Sequence, residues 1–545
     1  MDRPDITSGA SETPWFRSAE RPLFPLLSED LEVDVAIVGA GIAGLTAAYF
    51  LTQEKGLRVA VLEDGAIGSG ETSRTTAHLS SALDDRFDRL IRLHGEDGAR
   101  LAYRSHDAAI EQIESIVERH RIRCDFERLP GVLFAPPGES TEVLDREFEA
   151  CRRIGFPGVR RTEVTTMGRY DLGPAIVFPR QGQFHPLKYL AGLAEAVTRQ
   201  GGRIFERTHV EDYEVGDRVT IAVRTRGAVT ARSMIVATNA PFVSRFRFPL
   251  RQFPYRTYAI ALRVPAGSVP KALYWDTADP YHYVRLQSSE DGKGDLLIVG
   301  GEDHKTGQPG KEDGDARYGR LEGWTRERVA AAGEVVHRWS GQVMEPADGL
   351  AFIGRVPKIG ENVYVVTGDS GHGMTHGTLG GMILRDLITG RDNPWAALYA
   401  PDRGMLKGLG EIAAENVNVV PQYGKWLTAG DVPSTREIPK GEGRVIRKGL
   451  QKEAIYRDER GGLHSMSAVC PHLGCIVGWN GTEKTWDCPC HGSRFSATGE
   501  VLNGPANSPL EPLRKTPPRV LAEKKAPSRA SRAKSRRPAR RRRKQ

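Results

Sequence analysis

The sequence predicts an α/β domain that opens with a βαβ unit and is followed by a small all-β domain towards the C-terminal end. Three observations predict it. An apolar run passing into spaced glycines stands at residues 33–44, and a second strand, glycine turn and helix start stands at 363–377. From residue 443 onward, short strand-like segments accompany two loops rich in cysteine and histidine. At roughly 100–200 residues per domain, a chain of 545 residues suits three or four compact units.

Residues 33–48 read Val-Asp-Val-Ala-Ile-Val-Gly39-Ala-Gly41-Ile-Ala-Gly44-Leu-Thr-Ala-Ala, and residues 57–63 read Leu-Arg-Val-Ala-Val-Leu-Glu63. The Val- and Ile-rich run is a buried parallel strand. Gly39 permits the tight turn after it, Gly41 lets the backbone approach a pyrophosphate, and Gly44 lets the helix pack on the sheet. Phosphates then sit on a helix N-terminus, where free N–H groups and the dipole favour anions. Glu63 ends the second strand, placed to accept hydrogen bonds from ribose hydroxyls. A lone glycine pattern of this kind is also compatible with a simple glycine-rich turn, but here the flanking strands and the acid select a Rossmann-like dinucleotide site.

More of the pattern lies downstream. Residues 68–78, Gly-Ser-Gly-Glu-Thr-Ser-Arg74-Thr75-Thr-Ala-His, form a small polar loop of the kind that lies against a flavin, with Arg74 and Thr75 as cofactor contacts. Gly368, Gly371 and Gly373 form a turn that places a second helix N-terminus near the isoalloxazine ring or ribityl chain. Residues 234–240 supply a strand that closes an FAD domain of this kind. The cofactor expected is FAD rather than NAD.

The C-terminal loops read Cys470-Pro-His472-Leu-Gly-Cys475 and Cys488-Pro-Cys490-His491-Gly-Ser493. A mixed-ligand [2Fe-2S] cluster needs two thiolates on one iron and two imidazoles on the other, which a C-x-H and a C-x-x-H loop supply. Cys470, His472, Cys488 and His491 are the ligands expected. Tetrahedral zinc is the other reading of paired Cys/His loops, and it leaves Cys475, Cys490 and the surrounding glycines and prolines without a purpose. The loops resemble those of Rieske proteins. In the cytochrome bc type a disulfide links the two loops at the positions of Cys475 and Cys490, and the resemblance implies the same bond here. It also implies a serine at Ser493 that hydrogen-bonds the cluster. Phe495 stands where high-potential members carry tyrosine, which places the potential below the top of the Rieske range.

Residues 34–393 resemble FAD-dependent amine and amino-acid oxidoreductases of the D-amino-acid oxidase and glycine oxidase type, here extended by a Rieske domain. The resemblance implies an α/β Rossmann-like FAD-binding domain with an interleaved α+β substrate domain over 34–400. It implies hydride transfer to FAD from an amine, amino acid or related CH–NH or CH–OH donor, with electrons leaving singly through the cluster to a one-electron carrier or quinone. A redox sensor or electron-transfer module without amino-acid oxidase activity is the alternative. Its support is a departure from the family pattern: the arginine that grips a substrate carboxylate is absent from 339–354, where Glu345 would repel a carboxylate rather than bind it. Arg285, in Tyr281-His-Tyr283-Val-Arg285, is a replacement candidate, against the plainer reading of a sheet-edge arginine paired with a surface acid. His372 and His304 are further catalytic candidates, although a lone histidine is more often a satisfied polar side chain.

The remaining sequence sets the surroundings. An arm occupies 1–33, a linker 401–426, the Rieske domain 427–520 and a basic tail 521–545. No uncharged apolar run of about 18 residues exists outside the fingerprint, and residues 1–30 are polar, so no membrane span is expected and the cytoplasm is the expected compartment. Of six cysteines only Cys124 and Cys151 lie outside the cluster loops, which excludes an extracellular disulfide framework. The net charge is +8, and residues 524–545 hold twelve Lys and Arg and no acid, so the body carries −4. Such a tail cannot bury a core. It reads as a solvated end in preference to a nucleic-acid or anionic-surface contact. Helical spacing of apolar residues marks 95–120 and 186–200, and strands are expected at 443–448 and 453–457.

Overall fold

The computed structural model describes residues 7–513, apart from 244–247, 290, 309–311, 313 and 405–407. The basic tail lies outside the described residues.

The buried strand Leu31–Val38 forms the centre of a parallel sheet, flanked by Val59–Leu62 on one side and Ala228–Val236 on the other. Arg203–Phe205 and Val363–Thr367 extend the sheet in parallel, while Phe352–Arg355 on Val363–Thr367, and Val219–Val223 with Val210–Val215 beside Ala228–Val236, join antiparallel. Only a strand covered on both faces is apolar at nearly every position. One cover is the helix Ile42–Leu51, itself buried on almost every residue between the sheet and the helix Gly373–Thr389.

The second sheet takes its strands from segments inserted between those of the first, which is the expected interleaving. Its order is Val335–Pro346, Gln252–Val264, Asp295–Lys305, His282–Ser288, Leu273–Asp276, Glu127–Phe134, Ala175–Gln183 and His78–Leu79, with Arg160–Thr162 alongside Ala175–Gln183. All its pairings are antiparallel except that of Leu273–Asp276 with Glu127–Phe134. The predicted helices are present as Phe87–His120 and Pro186–Arg199. The first starts earlier than its periodicity suggests, because Gly95 breaks the helical backbone (φ 74°) and with it the repeat.

The C-terminal domain is two small antiparallel sheets, Glu442–Lys448, Gln451–Arg457 and Leu463–Ser467, then Gly478–Asn480, Thr485–Asp487, Arg494–Ser496 and Val501–Asn503. Val445, Ala454, Met466, Trp486 and Phe495 fill the space between them. The segment expected as a linker contains the helix Leu409–Tyr423. Its end is tied to the first cluster loop, with Tyr423 Oη donating to the Leu473 carbonyl at 3.0 Å and Trp426 Nε1 to that of Gly474 at 3.0 Å. Among the described residues no helix is long and apolar enough to cross a membrane.

A buried ionic network joins the two halves. Glu483 of the C-terminal domain meets Arg74 at 3.3 Å, Asp487 meets Arg256 at 3.6 Å, and Arg494 lies 3.3 Å from Asp487 and 3.2 Å from Glu71. The N-terminal arm closes over it: Ser11 Oγ donates to Glu483 at 2.6 Å, Ser8 Oγ to the Ser69 carbonyl at 2.8 Å, and the buried Trp15 donates Nε1–H to the Thr75 carbonyl at 2.8 Å. Burial pushes the Glu483 carboxyl up, but Arg74, Arg256 and Arg494 outweigh it and hold it at about 2, against an ordinary 4.5.

Removing one partner of a buried pair strands the other's charge, at roughly 3–5 kcal/mol, so Glu483→Ala should lower the thermal midpoint and expose the domain junction to limited proteolysis. Because the folded-state pKa is depressed, the carboxylate's contribution is full above pH 4.5 and disappears as pH falls through about 2. Denaturation of both proteins across that window should show the stability gap closing towards acid.

Candidate active site and metal centre

One continuous cavity runs from the first glycine turn to the second sheet. Gly39 (φ 105°) turns the chain so tightly that a Cβ would sit 2.5 Å from the Ala237 carbonyl oxygen, and a Cβ on Gly44 would sit 1.8 Å from the Gly39 oxygen. Both glycines therefore shape the turn. Gly41 faces the cavity, and a Cβ there would meet only Thr72 Oγ1, at 3.0 Å, so the open space lies in front of the helix N-terminus. The Ile42 N–H is donated to Thr72 Oγ1 at 3.1 Å. Glu63 Oε2 accepts the Ala40 N–H at 2.6 Å and Oε1 that of Gly65 at 3.1 Å, while burial pushes its carboxyl up to about 7. A ribose diol facing this carboxyl and a pyrophosphate against Gly41 fit the residues present. Gly368, Gly371 and Gly373 line the same cavity further along.

Thr75 also lines the cavity, while its carbonyl anchors Trp15. Arg74 touches the cavity wall, but its guanidinium is turned away, donating to Ser8, Ser11, the Gly9 carbonyl and Glu483. It joins domains rather than reaching the nucleotide.

At the far end the wall carries Asp84, Asp303, Glu345 and Asp369 with Tyr281, Tyr283, His78 and His372. Burial, reinforced by the neighbouring carboxylates, pushes Glu345 up to about 8 and Asp303 up to about 7, and Asp369 rises to about 6. Ser370 donates its hydroxyl to Glu345 at 2.8 Å, whereas Asp303 Oδ1 is buried with no hydrogen-bond partner. His78 Nε2 is likewise buried without one. Among the described lining residues there is no lysine, and Arg74 is the one arginine.

Arg285 is not in this wall. It is fully buried, and Nη1 donates to the carbonyls of Thr76, Ala77 and Phe184 at 3.0–3.1 Å while Nη2 donates to Gln287 at 2.5 Å. Its donors hold the flavin loop in place, so it is neither a carboxylate grip nor a surface ion pair. His372 does line the cavity, but its Nε2 accepts the Asp84 N–H at 2.8 Å, which occupies that nitrogen with positioning a loop. His304 faces the domain junction, stacked on Tyr258, and its neighbour Asp303 is the residue at the cavity. Adjacent strand residues point to opposite faces.

The second candidate site is built by the cluster loops. The backbone closes each: Cys470 N–H donates to the Cys475 carbonyl at 2.8 Å and Cys488 N–H to that of Ser493 at 2.8 Å. Cys470, Cys488, His472 and His491 are all buried, the thiols of Cys470 and Cys488 lie against each other, and the two imidazoles stand edge to face 5.0 Å apart. His491 Nδ1 is buried with no hydrogen-bond partner, as an iron ligand's would be before its metal. Cys475 and Cys490 form a disulfide linking the loops. Ser493 is buried beside Cys470, its Oγ accepting the Ala506 N–H at 3.0 Å. Two thiols and two imidazoles in this arrangement fit a [2Fe-2S] cluster.

Residues 34–387 match the family described as FAD dependent oxidoreductase, and residues 428–517 match the Rieske [2Fe-2S] domain. The chain belongs to the FAD-dependent oxidoreductases. This oxidoreductase carries FAD and, in its Rieske domain, a [2Fe-2S] cluster. It is 34% identical over 508 residues to YhfW of Bacillus subtilis, named as a Rieske 2Fe-2S iron-sulfur protein, spanning 92% of this chain and 98% of that one. It is 27% identical over 384 residues to the gamma-glutamylputrescine oxidoreductase of Escherichia coli K12, covering 67% of this chain and 86% of that one. Its fold is shared with glycine oxidase from Geobacillus kaustophilus (TM-score 0.59, 23% identity, 69% of this chain and 100% of that one).

Gly41→Val should place a branched side chain where the pyrophosphate approaches and yield protein depleted of FAD, measured by flavin absorbance after purification. His491→Ala should remove an iron ligand, so the rhombic EPR signal of the reduced cluster should be lost while FAD stays bound.

Proposed function

We propose that this oxidoreductase dehydrogenates a cationic amine and passes the electrons through its Rieske cluster to a one-electron carrier or quinone. The acidic wall carries the reading. Asp84, Asp303 and Glu345 face the cavity, and among the described lining residues there is no lysine and the one arginine, Arg74, is engaged by Ser8, Gly9, Ser11 and Glu483 rather than free to receive a carboxylate, whereas an ammonium group offers each acid a charged hydrogen bond. The Escherichia coli relative named for gamma-glutamylputrescine supports an amine over a free amino acid.

FAD bound in the cradle supplies the two-electron acceptor. The chain's own residues do the rest. Asp303 Oδ1, buried without a partner, is the acceptor for a substrate N–H, and Glu345 stands beside it. With pKa values raised to about 7 and about 8, these carboxyls release their protons near neutrality, so they can take the ammonium proton and leave the amine lone pair free. Tyr281 Oη, 3.4 Å from Asp84, completes the wall.

The test is anaerobic mixing of the holoenzyme with monoamines, diamines and D- and L-amino acids, following flavin bleaching. Amines should bleach the flavin, with an apparent affinity that rises as pH passes through about 7–8, where the two carboxyls ionise. Asp303→Asn should weaken amine binding about tenfold or more, since a hydrogen bond to a charged group is worth roughly 1.5–3 kcal/mol. Strongest bleaching by amino acids with a free carboxylate would overturn the amine assignment, and no bleaching by any donor would favour a sensor.

A further inference from the structure

The second cluster loop is seated on the oxidoreductase body at three points. Gln342 Nε2 donates to the Gly492 carbonyl at 3.0 Å, and Gln308 Nε2 donates to the Pro489 carbonyl at 2.9 Å. Pro254 packs so closely that a Cβ on Gly492 would lie 2.4 Å from its ring. The two glutamines differ in what lies behind them. Gln342, with its neighbours Gly341 and Val343, lines the flavin cavity, whereas Gln308 lines a small separate cleft with Pro489 and Cys490.

Gln342 is also held in one arrangement. Its side chain is buried on the strand Val335–Pro346, and its backbone N–H is donated to Glu71 Oε2 at 2.7 Å. The partner at Gly492 is a carbonyl, which only accepts, so the NH2 end of the amide is the end that points at the cluster loop. Gly492 is bonded directly to His491. Cavity wall, Gln342, one hydrogen bond, Gly492 and His491 thus form an unbroken series of covalent and hydrogen-bonded contacts, and electrons tunnel more readily along such a series than across packing gaps.

We infer that Gln342 is the bridge by which electrons cross from the flavin cavity to the cluster, a proposal that rests on the relay reading above. Each crossing oxidises the reduced flavin by one electron and reduces the cluster by one. The cluster returns to its oxidised state by giving that electron to the one-electron carrier or quinone. Two crossings clear the pair taken from one donor molecule, and the accompanying protons go to water. Gln342 is a positioning residue in this scheme.

The experiment is laser-flash photoreduction of the flavin in protein loaded with FAD and cluster, with EDTA as the electron source, following the electron to the cluster by absorbance and freeze-quench EPR. Gln342→Leu should slow the crossing about tenfold with flavin occupancy, cluster content and thermal midpoint unchanged. Gln342→Met, close in shape and lacking the donor, should do the same and serves if the leucine variant folds poorly. Gln308→Ala removes a docking bond that does not border the flavin cavity, and it should leave the rate unaltered. Parental rates in both Gln342 variants would overturn the bridge while leaving the relay intact. Equal slowing in the Gln308 and Gln342 variants would overturn it in favour of docking alone. No crossing in the parent protein would overturn the relay itself, and the bridge with it.

Discussion

Three arginines and three carboxylates, almost wholly removed from water, hold this molecule in one shape. Arg74, Arg256 and Arg494 face Glu71, Glu483 and Asp487, and each side contributes from both domains. Burying any one of these charges alone would be prohibitive, so the network forms only when the flavin loop, the second sheet and the Rieske domain are all in place. Matched numbers matter more here than any single bond, since Glu483 is reached by three guanidinium groups and Arg494 by three acids. The consequence is a fixed docking of the Rieske domain on the oxidoreductase body, and with it a fixed relation between the second cluster loop and the cavity wall.

The same economy of charge is absent at the far end of the cavity. There the carboxylates outnumber any cation, and burial and mutual repulsion raise the pKa values of Glu345, Asp303 and Asp369, while only Asp84, beside His372, is held low. One protein thus contains two buried acid clusters with opposite behaviour. In the paired one Glu483 and Asp487 are held low and stay ionised at neutral pH, and in the unpaired one Glu345 and Asp303 sit near their own titration, open to a charged visitor.

Much of this was legible in the sequence, because the strongest signals are local. The glycine spacing at Gly39, Gly41 and Gly44 and the Cys and His spacing of the two loops are set by geometry over a few residues, and the structure gathers each set in one place. The interleaving followed from resemblance, and the helix Leu409–Tyr423 lies beyond Pro394 and Pro401, where the apolar periodicity fades. What the sequence concealed were partners far apart along the chain. Arg74 stands in a loop that resembles a flavin contact, yet its charge answers Glu483 from a domain hundreds of residues later. Arg285 has the position of a substrate arginine and turns to three carbonyls instead. At Asp303-His304 the histidine is the more familiar catalytic residue, but the fold turns it against Tyr258 and leaves the aspartate on the cavity side, which the irregular pairing of this strand hides from the sequence.

The N-terminal arm carries a further implication for how the molecule is made. Ser11 is fastened to Glu483 across 472 positions of sequence. A ribosome releases the arm and both glycine turns of the flavin cradle before Glu483 emerges, so through that part of translation the arm is held by the body alone, through residues such as Ser69, Arg74, Thr75, His185 and Glu206. The last fastening closes when the Rieske domain has been synthesised and folded against the body. Assembly is therefore ordered in time by the chain's own topology, with the arm able to seat on the body before the step that locks it and the Rieske domain together.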